Sequence, residues 1–371
     1  MLHQVTLHDI EAIAIGAGIL GTGGGGDPYI ESIHLRHTIH EHGPAQVVDP
    51  QALADDARVV VVGYIGAPTV AVEKLPQGTE LLRAIRLLEK HLGQRMDAVG
   101  IAEIGGGNSL GPLIVGLQAG IPTLDADGMG RAFPEMQMST YLFHDDVPVA
   151  PFTMAEARDN AVVVPYTVSA IWAERIARNL AVSMGATAGL AGFVMTGAQF
   201  KAYCVPYTLS LAHQLGQRVL AARAQDEDAP QVIADALAGR IIFRGKIVDV
   251  YRRTTKGFAR GTLTLHGYQG DSERLDIEFQ NEFLIARLNG AVLATVPDLI
   301  CIVTEDEGQP VPTELLRYGT RVAVLAVPAA PQLKTPTALS VVGPQAFGYD
   351  VPFTPLPGAC IGFAPKSHPP V

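Results

Sequence analysis

The chain has 371 residues, a formal net charge of −10, 48% apolar residues and only 17% charged ones. That length exceeds what one hydrophobic core usually serves, so two domains are expected, and the composition excludes long disordered tails. An acidic chain whose densest basic stretch is Arg252-Arg253 is not expected to bind nucleic acid, and its sparsely charged surface points to a homo-oligomer.

Thr6-x-x-Asp9 reads as a helix start, with its carboxylate in the first turn. The nine-residue apolar run Ala12–Leu20 that follows has the length of a leader-peptide core. Asp9 and Glu11 precede it and no Lys or Arg does, so it is not read as a signal sequence. The helix ends in the stretch Gly21-Thr22-Gly23-Gly24-Gly25-Gly26-Asp27. Tyr29–His42 predicts a second helix, closed by Gly43-Pro44. Gln46–Val48 and Arg58–Tyr64 predict strands; the second is continuously apolar, hence buried on both faces. Thr79–Leu92 predicts a helix with Leu81, Leu82, Ile85 and Leu88 on one face. Then come a strand over Asp97–Glu103, a helix over Asn108–Ala119 and a short strand over Ile121–Leu124. This alternation predicts an N-terminal α/β domain, residues 1–166, with a largely parallel sheet.

Val168–Ser183 and Gly197–Arg223 read as helices, the second broken at Pro206. From Ile241 short β-rich runs separated by turn residues replace them, which predicts a β-rich barrel- or sandwich-like unit. The second domain is therefore assigned to 167–362, with helices over 167–240 and strands over 241–330. Its tail, 340–362, carries special turns at Gly343-Pro344 and Phe347-Gly348-Tyr349 and is expected to return to the first domain. Cys204, Cys301 and Cys360 are few, odd in number and far apart, which fits a reducing compartment. No apolar run approaches the ~20 residues of a membrane span. A cytoplasmic location with no membrane contact is expected.

Three loops carry the chemistry. Five glycines in the six residues Gly21–Gly26 are too many for a simple turn and suggest a nest of backbone amides facing a polar ligand. Gly23, Gly24 and Gly25 are the candidate ligand-binding residues there. Asp27 is a candidate base, and alternatively the cap of the next helix, with Pro28 in its first turn. The second loop, Glu103-x-x-Gly106-Gly107-Asn108-Ser109, joins a strand-end carboxylate to a glycine turn and helix-start polar groups. Glu103 is a candidate catalytic acid or base, Gly106, Gly107 and Asn108 candidate ligand contacts, and Ser109 a weaker candidate. The third loop is Asp125-Ala126-Asp127-Gly128-Met129-Gly130-Arg131. Its carboxylates suit acid–base work or a divalent metal, with Asp125 and Asp127 as candidate ligands and Asp127 as the candidate base. The position of a calcium loop's closing Glu is Met136, so an EF-hand is excluded. Arg131 is the candidate clamp for a carboxylate or polarised carbonyl. The second and third loops follow strand ends, the edge where open α/β sheets bind ligands.

Gly16-x-Gly18-x-x-Gly21 matches a dinucleotide fingerprint in form only. Its third glycine opens a loop instead of a helix, so no nicotinamide cofactor is expected. His34, His37 and His40 read as a solvated helix face and Cys204 as a core residue.

Together these segments resemble the S-methyl thiohydantoin desulfurase-like family. The resemblance rests on GILGTGGGGDPY (18–29), EIGGGNS (103–109), PTLDADGMGRAFPE (122–135), GKIVDVYRRTTKGFARG (245–261), FQNEFL (279–284), VPDLI (296–300), RYGTRVAV (317–324) and VGPQAFGYD (342–350). It implies an N-terminal α/β domain and a C-terminal β-rich domain. It also implies a hydrolase that removes methanethiol from a methylthio-imidazolone ring, and an association with hydantoinase/oxoprolinase proteins. Two readings therefore stand: an enzyme acting on a small hydantoin-like ring, and a non-catalytic partner of a hydantoinase/oxoprolinase assembly. No cofactor is established by either.

Overall fold

The computed structural model describes residues 1–66, 74–255, 257–268 and 273–357. Cys360 and the last part of the predicted tail, 358–362, lie outside the described residues.

The first sheet has nine strands: β1 (Gln4–Val5), β2 (Ala45–Val48), β3 (Arg58–Gly66), β4 (Ala98–Ile101), β5 (Thr123–Asp127), β6 (Phe152–Ala155), β7 (Ala161–Val164), β8 (Thr187–Thr196) and β9 (Val205–Pro206). They run in the order β1-β2-β5-β4-β3-β8-β6-β7, with β9 paired to β5. The pairings β2–β5, β5–β4 and β4–β3 are parallel. Those of β1 with β2, β8 with β3 and β6, β6 with β7 and β9 with β5 are antiparallel. The sheet is thus mixed, parallel in its centre and antiparallel towards its edges.

The helices are α1 (Ile10–Leu20), α2 (Tyr29–His42), α3 (Glu80–Leu92), α4 (Gly111–Ala119), α5 (Ala170–Ser183), α6 (Gly197–Tyr203), α7 (Thr208–Ala224), α8 (Ala229–Ala236) and α9 (Pro336–Val342). The helix expected across 197–223 is broken at Pro206 by β9. β8 lies inside the span 167–240, for which only helices were expected, and it pairs with β3 near the middle of the first sheet. Its sequence, TAGLAGFVMT, is rich in small residues because its neighbours come very close. A Cβ on Gly189 would meet Leu81 at 3.0 Å, and one on Gly192 would meet Phe152 at 2.7 Å. Ala and Gly are poor strand formers, so tertiary packing overrides local preference here.

The second sheet is wholly antiparallel: β10 (Arg240–Thr255), β11 (Phe258–Gly267), β12 (Arg274–Gln280), β13 (Glu282–Leu288), β14 (Ala291–Thr295), β15 (Leu299–Thr304) and β16 (Arg321–Val327). Its order is β14-β13-β12-β11-β10-β16-β15. Bulges near Ile241 and Ile247 bend the long β10, and β15 comes back to pack on β13 and β14. The result is a curled half-barrel filled by Phe243, Ile247, Leu265, Ile277, Phe283 and Val324.

A shared core joins the sheets. Ile13 and Leu20 of α1, Leu215 and Val219 of α7, and Leu325 and Val327 of β16 belong to one buried cluster. Helices α1 and α7 cross in direct backbone contact. A Cβ on Gly16 would collide with the Ala212 carbonyl, and one on Gly216 with the Ala12 carbonyl. Gly16 is therefore a helix-packing residue and not part of a phosphate loop. In the tail, Ala338 and Val342 of α9 enter the same core, α9 packs on 136–138 of the first domain, and the Leu356 amide donates to Asp298 Oδ2 at 2.8 Å. Among the described residues, no helix is long and apolar enough to cross a membrane.

The α1–α7 crossing has no room for a side chain. Gly216→Val is expected to lower the unfolding free energy by about 1–3 kcal/mol or more. Gln217→Val, on the exposed side of the same helix, should stay within about 0.5 kcal/mol. Denaturant midpoints of the two variants test this, and equal midpoints would contradict it.

Candidate functional site

The glycine loops interlock. Gly25, at φ 78°, sits where a Cβ would run into the Gly105 backbone, and a Cβ on Gly106, at φ 48°, would strike the Gly26 carbonyl. The Gly107 amide donates to the Gly26 carbonyl at 3.3 Å. The first loop also meets the half-barrel. A Cβ on Gly23 would meet the Phe283 ring at 2.6 Å, and one on Gly24 would overlap the Glu282 carboxylate. The Phe283 amide donates to the Thr22 carbonyl at 2.8 Å, and the Thr313 amide to the Gly23 carbonyl at 2.9 Å. Gly21 and Gly25 are needed because backbones meet at main-chain distance, and Gly23 and Gly24 because the Phe283 and Glu282 side chains fill the space of their Cβ.

A cavity of about 300 Å³ opens beside this junction. Gly25, Gly26 and Asp27 of the first loop line it, as do Glu103, Gly107 and Asn108 of the second, and Asn281 and Glu282 at the start of β13. Val61, Ile65, Phe133, Leu190 and Phe193 supply apolar wall. Glu103 is buried two residues beyond β4, which ends at Ile101 and not, as expected, at Glu103. Its Oε1 accepts from Asn108 Nδ2 at 2.6 Å and its Oε2 from the Phe133 amide at 3.2 Å. Burial pushes its carboxyl up to about 7, against the hydrogen bonds from Asn108 and Phe133. Asn108 is clamped in turn to the β3 backbone. Its Oδ1 accepts from the Tyr64 amide at 2.6 Å and its Nδ2 donates to the Tyr64 carbonyl at 3.3 Å. Asn108 thus fixes the rotamer of Glu103. Asp27 lines the cavity from an exposed position, and its Oδ1 accepts from the Tyr29 amide at 3.0 Å, which caps α2.

The other predicted residues lie elsewhere. Gly23, Gly24 and Gly106 form the loop contacts behind the cavity wall. Ser109 Oγ donates to the Gly106 carbonyl at 2.7 Å and closes that turn. Asp125 is fully buried, and its carboxylate accepts from Ser210 N at 2.9 Å and Ser210 Oγ at 2.5 Å, anchoring the start of α7. Asp127 is also fully buried. It accepts from the amides of Ile104 at 2.9 Å, Met129 at 3.1 Å and Gly130 at 2.8 Å, which holds the third loop against the second. Neither aspartate lines the cavity: the amide and hydroxyl of Ser210 take the oxygens of Asp125, and backbone amides take those of Asp127. Among the described residues, no group of three or more His, Cys, Asp or Glu is placed to hold a metal ion.

Arg131 is fully buried, and its guanidinium is spent on the protein. Nε donates to the Ala132 carbonyl at 2.9 Å. Nη1 donates to the carbonyls of Pro297 at 3.1 Å and Asp298 at 3.0 Å. Nη2 donates to Thr22 Oγ1 at 2.8 Å and the Phe283 carbonyl at 3.3 Å. Burial lowers its pKa to about 10. It ties the first and third loops to the half-barrel and has no contact left for a substrate acid.

Several cavity residues escape sequence reading. Glu31 of α2 lines the cavity, with its carboxyl pushed up to about 7 by burial. Glu80, the first residue of α3, accepts from the amides of Gln77 at 2.6 Å and Gly78 at 2.9 Å and fixes the turn before the helix. The two cations of the wall are both engaged. Lys74 Nζ lies 3.1 Å from Glu156, and Arg178 Nε lies 2.7 Å from Glu174. Glu282 is buried with Oε2 lacking any hydrogen-bond partner. None of these sits in a glycine motif, so spacing alone does not single them out. The cavity is rich in acids, with Glu31, Glu80, Glu103, Glu135, Glu174 and Glu282 around it. Such a lining suits a small ring that presents N–H groups, and a buried carboxyl near 7 can exchange a proton at neutral pH.

Two family models match the chain: S-Me-THD-like, N-terminal domain, over residues 8–166, and S-Me-THD-like, C-terminal domain, over 168–356. None of the curated proteins matches. A crystal structure of a protein from Chromobacterium violaceum, a structural-genomics target, has the same fold with a TM-score of 0.81. It is 26% identical, and the match covers 96% of this chain and 100% of that one.

Glu103 keeps its proton to about 7 in the fold, against an ordinary value of 4.5. On raising the pH the unfolded chain loses this proton first, so the contribution is full below 4.5 and is lost as pH passes 7. The stability advantage of the wild type over Glu103→Gln is expected to shrink across that interval. Denaturant titrations at pH 4 to 8 measure it; an advantage that grows with pH would contradict the assignment.

Proposed function

Because this chain belongs to the S-Me-THD-like family, we propose that it is a hydrolase acting on a small hydantoin-like ring, with water replacing a methylthio group. The observation that carries this reading is Glu103, a buried carboxyl held by Asn108 and a backbone amide in the wall of a small cavity. The ring carbon under attack lies between two nitrogens. Water must lose a proton as it bonds to that carbon, and the C=N pair must move onto nitrogen. Glu103, ionised, takes the proton. Asn108 keeps its carboxylate aimed while it does so. Gly25, Gly26 and Gly107 give the cavity a wall of backbone, against which a flat ring can lie. The N–H groups of the ring meet an acid-rich lining, so binding needs no arginine clamp.

The test is turnover by the purified full-length chain. S-methyl thiohydantoins, thiohydantoins, hydantoins and 5-oxoproline are offered, and methanethiol is trapped with a thiol-reactive chromophore. Release from an S-methyl thiohydantoin is expected, and Glu103→Gln should lower kcat by about 10²–10⁴-fold with the fold intact. Silence of the isolated chain, with activity appearing only when a hydantoinase/oxoprolinase protein is added, would overturn this reading in favour of a non-catalytic partner.

A further inference from the structure

We propose that Glu282, contributed by the half-barrel, is the proton donor to the leaving thiol, acting across the cavity from Glu103. This rests on the hydrolase reading above. Glu282 is 2% exposed and lines the cavity, and its Oε2 is buried without a hydrogen-bond partner. A buried carboxyl oxygen left unpaired is costly, and a structural carboxyl would have been given a donor, as Asp125 and Asp127 are. The protein instead clears space for it. Gly24 lacks the Cβ that would overlap this carboxylate. Asn281, at φ 58°, turns the chain just before it and is pinned by two bonds to Ala259: its amide donates to the Ala259 carbonyl at 2.7 Å, and the Ala259 amide donates to its Oδ1 at 2.8 Å.

The charged groups facing Glu282 come from separate elements. Glu103 opposes its ionisation, while Arg131 and Arg178 favour it. Burial outweighs both arginines and holds the carboxyl well above its usual range.

The reaction then balances. Glu103 takes a proton from water as oxygen bonds to the ring carbon, and the C=N pair moves to nitrogen, which receives that proton from Glu103. Glu103 next takes the hydroxyl proton as the carbonyl forms. The C–S bond breaks, sulfur keeps its electron pair, and Glu282 gives sulfur its proton. Methanethiol leaves. Glu103, now protonated, returns a proton to Glu282, and the site is reset. The two protons of water end on nitrogen and on sulfur.

Leaving-group dependence tests this. With wild type, kcat should vary little between an S-methyl and an S-aryl substrate, because the donor supplies the proton that methanethiolate needs and an aryl thiolate does not. In Glu282→Gln, kcat for the S-methyl substrate should fall by about 100-fold or more, and for the S-aryl substrate by less than about 10-fold. Equal loss on both substrates, or no loss, overturns the proposal and leaves the hydrolase reading standing. Should Glu282→Gln not fold, the wild-type comparison decides alone: a steep preference for the S-aryl substrate overturns it. Turnover of neither substrate by wild type overturns the hydrolase reading and this proposal together.

Discussion

The structure depends on one close approach. The loop 21–26 meets the turn 105–107 backbone to backbone, and the start of β13 seats the Phe283 and Glu282 side chains in the space left at Gly23 and Gly24. Any Cβ at Gly24, Gly25 or Gly106 would overlap atoms of a neighbouring segment. The half-barrel closes on this loop because Gly23 and Gly24 leave room for the Phe283 ring and the Glu282 carboxylate. The cavity is the space left beside it.

Buried polar groups hold this junction in register. Arg131 reaches main-chain carbonyls on both sides of it, and Asp127 gathers amides from two loops. Charges as deeply buried as these destabilise a protein unless fully bonded, and both are. Each group therefore locks several segments to each other at once. Their bonds are spent on the fold, which leaves the chemistry of the cavity to carboxyls that are less completely satisfied.

Those carboxyls come from both halves of the chain. Glu103 follows β4 of the first sheet by two residues, and Glu282 opens a strand of the second. Both line one cavity, which forms where the glycine loops meet the start of β13. A cavity built at such a junction is complete only when both units are folded and docked, so local stability and the geometry of the site are coupled.

Much of the architecture is written in local pattern. The apolar runs of β3 and β4, the one-faced helix α3 and the change to short strands near 241 each follow from periodicity and turn residues. The glycine loops are equally plain, since no regular element tolerates them. Glu103, Asn108 and Asp27 stand in those loops, and the cavity is there. The mixed sheet and β8 are not legible locally: Ala and Gly carry little strand preference, and only the contacts with Leu81 and Phe152 explain them. Nor does sequence alone tell a carboxylate that meets a cavity from one that meets amides. Asp127 and Glu103 look alike as strand-end acids. Tertiary structure surrounds the first with backbone donors and gives the second one face on open space. Glu282 stands in FQNEFL (279–284), outside the glycine loops, and it shares a cavity with Glu103 only once two distant segments are folded together.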